Sequence, residues 1–222
     1  MVPSGRSSKP ARWLALGDSY TIGEGVAAED RWPHRVFESL RAAGARLEPP
    51  RILATTGWTT AELMAAMEHE RLWPARERFE LVSLMIGVND QYRGRDAGEF
   101  APLFAQCLER AVALAGGDAG RVVVASVPDW GVTPFAGGRD RGAIARAVDE
   151  YNKAEQDVVR KRGARWCDVT TLSRRHGSDT AYLAGDGLHP GAAAYRAWAG
   201  VLALAAREAL AGRGEAAQTK RA

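Results

Sequence analysis

Long apolar runs, cysteines and simple repeats are all scarce in this sequence of 222 residues. With 46% hydrophobic residues and no simple repeat, collagen-like, low-complexity and disordered classes are excluded. No apolar run approaches the roughly 20 residues that a transmembrane helix needs, so a soluble globular protein without a transmembrane segment is expected. The two cysteines, Cys107 and Cys167, fall in apolar-periodic segments and are interpreted as buried free thiols, not as a disulfide or a reactive site.

The chain also lacks an apolar stretch of the kind found in secretory signals within its first dozen residues. A cytoplasmic location is therefore expected, although a mature form whose signal had been removed would look the same.

Clustered positive charge is lacking too, although the formal net charge is +3. Six basic residues and one acidic residue lie in residues 1–12 and 212–222, which leaves 24 basic against 26 acidic residues in between. Nucleic-acid binding needs Lys and Arg clustered on a folded surface, so no nucleic-acid partner is expected. The basic run Arg160-Lys161-Arg162 is interpreted as the end of a helix, where cations are favourable.

Apolar periodicity predicts alternating strands and helices. Strands are predicted at residues 13–16, 51–54, 79–86, 121–127 and 164–169. Helices are predicted from residue 30 to a stop at Gly44, after a capping box at Thr59 and Glu62, and at residues 100–115, 140–162 and 192–211.

This alternation predicts an α/β fold with three layers, in which a five-stranded parallel sheet of the flavodoxin-like kind lies between helices. A single domain is expected over residues 12–211, with flexible ends at residues 1–11 and 212–222. In such sheets function gathers outside the carboxyl ends of the strands, and these loops therefore hold the candidate site.

Four of these loops carry polar residues that suit nucleophilic catalysis. Gly17-Asp18-Ser19 follows the first strand, Gly57 the second and Gly87-Val88-Asn89-Asp90 the third, whereas Asp186-Gly187-Leu188-His189 precedes the last helix. Each block alone is common turn chemistry, but the ordered set is specific. Together the blocks resemble the SGNH (GDSL) hydrolase superfamily, over residues 17–189.

The resemblance implies a serine esterase. Ser19 is then the nucleophile, His189 the general base, and Asp186 the acid that orients the imidazole. It also implies an oxyanion hole formed by the backbone N–H groups of Ser19 and Gly57 and by the side-chain amide of Asn89. No cofactor and no metal are implied, and no His/Cys cluster has the spacing of zinc ligands.

Substrate and assembly are less defined by the sequence. Trp58 and Trp130 follow predicted strands and are candidates for lining a substrate pocket, although packing at the rim of the sheet is the favoured explanation. The expected substrate is a small-molecule carboxylic ester with a small or short-chain acyl group. An acyltransferase, a thioesterase or lysophospholipase using the same site, and a non-catalytic ligand-binding module remain as alternatives. The sequence does not determine the oligomeric state or the pathway.

Overall fold

The computed structural model describes residues 9–211, and five strands within it form one parallel sheet. The strands are β1 (Trp13–Gly17), β2 (Arg51–Ala54), β3 (Leu81–Met85), β4 (Val122–Ala125) and β5 (Arg165–Cys167). Their order across the sheet is β2-β1-β3-β4-β5, with every neighbouring pair parallel. Because the chain runs outward from β1 to β2 and then crosses to β3, the direction of winding changes beside the carboxyl end of β1. A crevice at this switch point is the expected place for a ligand.

Within residues 9–211, eight α-helices connect and cover these strands. They are α1 (Ser19–Ile22), α2 (Trp32–Ala42), α3 (Thr60–His69), α4 (Val88–Tyr92), α5 (Ala97–Leu114), α6 (Arg141–Arg162), α7 (Thr170–His176) and α8 (Ala192–Ala211).

Both faces of the sheet are buried, because successive side chains of a strand point to opposite faces. In β1, Trp13 and Ala15 face the layer that contains α2 and α8, whereas Leu14 and Leu16 face the layer that contains α3 and α5. Ser83 is the polar exception in β3, and its hydroxyl accepts a hydrogen bond from Trp13 Nε1 at 3.0 Å. The α/β class and the five-stranded parallel sheet are therefore confirmed.

Local signals in the sequence explain where several helices begin and end. Thr59 and Glu62 form the predicted capping box, in which the Glu62 carboxylate accepts the N–H of Thr59 at 2.8 Å. Asp140 caps α6, and Gly163 ends it with φ +77°. The run Arg160-Lys161-Arg162 occupies the last turn of α6, as predicted. Both cysteines are free and buried, which confirms their interpretation.

The structure differs from the sequence prediction in its short elements. Three short helices, α1, α4 and α7, were not predicted. β3 is shorter than the apolar run at residues 79–86. Phe79 and Ile86, at the two ends of this run, are buried but lie outside the strand.

The chain ends can be compared with the prediction only in part. Ala11 is buried and its N–H donates to the carbonyl of Arg46 at 2.8 Å. Of the two ends expected to be flexible, residues 1–8 and 212–222 lie outside the described residues. Within residues 9–211, no helix is both long and apolar enough to cross a membrane.

Candidate active site

The turn after β1 places Ser19 at the first position of α1. Only glycine fits at position 17, because a Cβ there would lie 2.2 Å from Thr21 Oγ1 and 2.6 Å from the carbonyl oxygen of Met85. Asp18 then caps α1 by accepting the N–H of Tyr20 at 3.0 Å. The backbone N–H of Ser19 is left outside the hydrogen-bond ladder of the helix, as for every first residue of a helix. Ser19 itself is 3% exposed.

Asp18 lies buried next to Ser19, in an environment that disfavours its charge. Burial raises the pKa of Asp18 to about 7, although the hydrogen bond from the N–H of Tyr20 lowers it. The nearby Asp90 carboxylate adds to the rise. Asp18 therefore changes its charge near neutral pH, directly beside the candidate nucleophile.

The turn before α8 holds Asp186 and His189 as a hydrogen-bonded pair. Asp186 Oδ2 lies 2.5 Å from His189 Nδ1, and Asp186 Oδ1 accepts the N–H groups of Leu188 at 2.9 Å and His189 at 3.0 Å. Burial by itself would raise the pKa of Asp186, but the hydrogen bonds from the His189 ring and from these two N–H groups lower it below its ordinary value. An ionised carboxylate at Nδ1 favours the tautomer that leaves Nε2 free to accept a proton.

Tyr20 connects this turn to the turn that carries Ser19. Its ring centroid lies 5.3 Å from that of His189 and 6.2 Å from that of Trp198 in α8. Because Tyr20 directly follows Ser19, this packing brings the first and the last of the four sequence blocks together. His189 is 7% exposed in this arrangement.

The second and third blocks also meet. Asn89 Nδ2 donates to the carbonyl of Trp58 at 2.9 Å, which orients the amide and leaves its second N–H bond unused by this contact. Gly57 has φ +84°, in the left-handed region that favours glycine, and its carbonyl accepts a hydrogen bond from Arg93 Nη2 at 2.7 Å. The three residues that the resemblance assigns to the oxyanion hole therefore lie at the ends of β1, β2 and β3.

Asp90 and Arg93 position these loops, although neither residue was a candidate from the sequence. Asp90 Oδ2 accepts the N–H and the hydroxyl of Thr60 at 2.8 and 2.9 Å, and its other oxygen lies 3.2 Å from Arg95 Nε. These contacts tie α4, which carries Asn89, to the start of α3, which follows Gly57. Asp90 belongs to the third sequence block, but its hydrogen bonds to Thr60 become evident only in the folded structure.

The two tryptophans lie in different places. Trp130 is 4% exposed and lines a small cavity, together with Tyr20 and Leu188 from the turns that carry Ser19 and His189. Trp58 is half-buried and packs against the core on the side of α3 and α5. Their role in a substrate pocket stays a prediction.

The other three histidines take no part in the Asp186–His189 hydrogen bond or in the contact with Tyr20. His69 is exposed, His34 is half-buried, and half-buried His176 stacks on the ring of Tyr182 with centroids 4.1 Å apart. Among residues 9–211, no group of three or more His, Cys, Asp or Glu residues could hold a metal ion.

Comparison with known proteins identifies the family. Residues 15–197 match the GDSL-like lipase/acylhydrolase family. The chain therefore belongs to this family and is an ester hydrolase of the GDSL (SGNH) type. No curated protein matches the sequence significantly.

Solved structures of known proteins share the fold. TesA has 20% identity and a TM-score of 0.69, and the match covers 90% of this chain and 99% of TesA. The psychrotrophic esterase EstA from Pseudoalteromonas sp. has 14% identity and a TM-score of 0.67, with 90% and 99% covered. The acetylxylan esterase Axe2 from Geobacillus stearothermophilus has 19% identity and a TM-score of 0.65, with 90% and 94% covered. At these identities the similarity is one of fold.

Proposed function

We propose that this protein hydrolyses carboxylic esters with small or short-chain acyl groups through an acyl-enzyme on Ser19. His189 acts as the general base, and Asp186 orients its ring. The observation that carries the proposal is the Asp186–His189 pair, on a turn whose imidazole packs against Tyr20, the residue after Ser19.

In the first half of the reaction, Ser19 Oγ attacks the ester carbonyl carbon while His189 Nε2 takes the hydroxyl proton. The tetrahedral intermediate carries a negative oxygen, which the N–H groups of Ser19 and Gly57 and the free N–H bond of Asn89 stabilise. Each such donor contributes about 3 kcal/mol to transition-state stabilisation. The imidazolium then gives its proton to the leaving alcohol, and the acyl group stays on Ser19.

In the second half, water replaces the alcohol and the same groups act in reverse order. His189 takes a proton from the attacking water, and the acid is released when Ser19 Oγ recovers that proton. Asp186 stays ionised throughout, because its lowered pKa keeps it a carboxylate while the ring is charged.

One observation supports a small acyl group. Among the solved structures that share the fold, two are named acetylxylan esterases.

Hydrolysis of 4-nitrophenyl acetate, butyrate and octanoate by the wild type and by Ser19→Ala tests the proposal. We expect Ser19→Ala to lose about 10⁴-fold or more in turnover, because removal of a catalytic serine removes the covalent route. Ser39→Ala, which changes an exposed serine on α2, serves as the control and should keep full activity. More than a few per cent of wild-type turnover in a folded Ser19→Ala protein contradicts the proposal. Product analysis with added alcohols separates hydrolysis from acyl transfer.

A further inference from the structure

Three aromatic rings and one arginine form a cluster beside the catalytic turns. The rings are Tyr92 in α4 and Trp130 and Phe135 in the segment between β4 and α6, with centroids 5.3 to 6.2 Å apart. We call these three rings the aromatic platform. The guanidinium carbon of Arg139 lies over all three, at 5.1 Å from the centroid of Tyr92, 5.3 Å from Trp130 and 5.7 Å from Phe135.

The aromatic platform contacts both the α4 segment that carries Asn89 and the turn that carries Asp186 and His189. Trp130 Nε1 donates to Gln91 Oε1 at 2.8 Å, two residues after Asn89. The backbone N–H of Phe135 donates to the carbonyl of Gly187 at 3.1 Å, within the turn that carries Asp186 and His189. The platform therefore adjoins both the helix that carries Asn89 and the turn that carries His189.

Two rings of the platform are open to solvent. Tyr92 is 44% exposed and Phe135 is 40% exposed, whereas most large apolar side chains of residues 9–211 are buried. Exposed apolar surface of this kind next to a concave site is typical of ligand contact. Flat rings suit the face of an aromatic or similarly flat ligand.

Arg139 brings an uncompensated charge to the platform. No acidic side chain among residues 9–211 pairs with it, and the neighbouring Asp140 instead accepts the N–H of Ala143 as the cap of α6. Arg139 Nη2 donates to the hydroxyl of Tyr92 at 3.1 Å. A guanidinium that rests on aromatic faces keeps the N–H groups along its edge available for a carboxylate or phosphate. Arg93, by contrast, lies 3.3 Å from Glu62.

We propose that the aromatic platform and Arg139 bind the leaving alcohol of the ester, and that the favoured alcohol has a flat apolar body and one negatively charged group. This proposal rests on the proposed function. The assignment to the leaving alcohol follows from the hydrogen bond between Phe135 and Gly187, because the turn that this bond reaches carries His189, which protonates the leaving oxygen. The negative group of the alcohol bonds to the free edge of Arg139, while its apolar body lies on Tyr92 and Phe135.

A pair of acetate esters that differ in charge but hardly in shape tests this assignment. The probes are 4-carboxyphenyl acetate and 4-carbamoylphenyl acetate, and the readout is the ratio of their kcat/KM values. We expect this ratio to fall about three- to tenfold in Arg139→Gln relative to the wild type, as for the loss of a partly exposed charge-assisted hydrogen bond. Differences in the intrinsic reactivity of the two esters cancel in this comparison. Added salt should reduce the preference of the wild type.

Arg207→Gln is the matched control, because Arg207 is an exposed arginine near the far end of α8. This variant should keep the wild-type ratio. An unchanged ratio in Arg139→Gln, or an equal fall in Arg207→Gln, would overturn the proposal.

Binding to Ser19→Ala separates this proposal from the catalytic one. Calorimetry should show that this protein binds 4-hydroxybenzoate more tightly than 4-hydroxybenzamide, and that Arg139→Gln in the same background removes the difference. Absence of Ser19-dependent hydrolysis of both esters would overturn the proposed function, whereas equal binding of the two phenols would overturn the assignment of Arg139.

Discussion

Replacement of Glu155 by glutamine should stabilise the protein by an amount that grows with pH. Glu155 lies on α6, is 0% exposed, and neither of its carboxyl oxygens has a hydrogen-bond partner among residues 9–211. One of these oxygens lies 3.1 Å from the position that a Cβ on Gly87 would occupy, directly behind the loop that carries Asn89. A carboxyl group in this position is shielded from bulk solvent, and no cationic side chain among residues 9–211 forms an ion pair with it.

Burial therefore raises the pKa of Glu155 well above its ordinary value, and the nearby carboxylates of Asp18 and Asp90 add to the rise. Between the ordinary value of 4.5 and this raised value, the folded protein binds one more proton than the unfolded chain does. Stability then falls as pH rises through that range, and below about pH 4.5 the carboxyl group has no such effect.

The size of the effect follows from this single proton. The free energy of unfolding of wild type should fall, relative to Glu155→Gln, by about 1.4 kcal/mol per pH unit. This change in favour of the variant continues from about pH 4.5 up to the raised pKa of Glu155. The slope ends where the folded carboxyl group begins to ionise. Glutamine also lacks partners at this position, so its amide adds a constant offset that does not depend on pH.

Urea unfolding of the wild type, Glu155→Gln and Glu150→Gln at several pH values measures this slope. Glu150 lies on the same helix and is exposed, so its substitution should leave the pH dependence unchanged. A difference between wild type and Glu155→Gln that stays constant over this pH range would refute the reasoning, because it would mean that Glu155 is already ionised or hydrated in the folded state.

Two further substitutions test the oxyanion hole and the orienting acid. Gly57 has φ +84° and Gly44 has φ +86°, and a Cβ at either position would have no neighbouring atom closer than 4.0 Å. Gly57→Ala and Gly44→Ala should therefore each cost about 1–2 kcal/mol of stability, because of the left-handed backbone. Only Gly57→Ala should lower turnover. Equal turnover in these two variants would argue against an oxyanion role for Gly57. Asp186→Asn should lower turnover about 10³- to 10⁴-fold with little change in Tm, because an amide next to His189 favours the wrong tautomer. Turnover within tenfold of wild type would exclude the orienting role.

Periodicity was sufficient to predict the long elements of this fold. The predicted helix at residues 140–162 and the observed α6 differ by one residue, because Asp140 and Gly163 mark its ends. Short helices such as α1 and α4, of four and five residues, span too little sequence for a helical period to appear. Glycines and caps at the strand ends determine them instead, as Gly17 and Asp18 do for α1.

The candidate site divides in the same way. Ser19, Gly57 and Asn89 follow β1, β2 and β3, whereas Asp186 and His189 precede α8, so the alternation of strands and helices and the four motifs were enough to predict one shared site. Glu155 gave no such signal, because a glutamate in a helix rich in charged residues is typical of a solvent-facing position. Arg139 and its platform depend on how two distant loops pack. The cytoplasmic location and the limits of the domain stay predictions.

Mass spectrometry of the protein after reaction with a fluorophosphonate tests the central claim most directly, since this reagent labels a serine only when a base activates it. We expect a single adduct on Ser19 in the wild type and a strongly slowed reaction in His189→Gln. An adduct on another residue, or labelling of Ser19 at the wild-type rate without His189, would contradict the account.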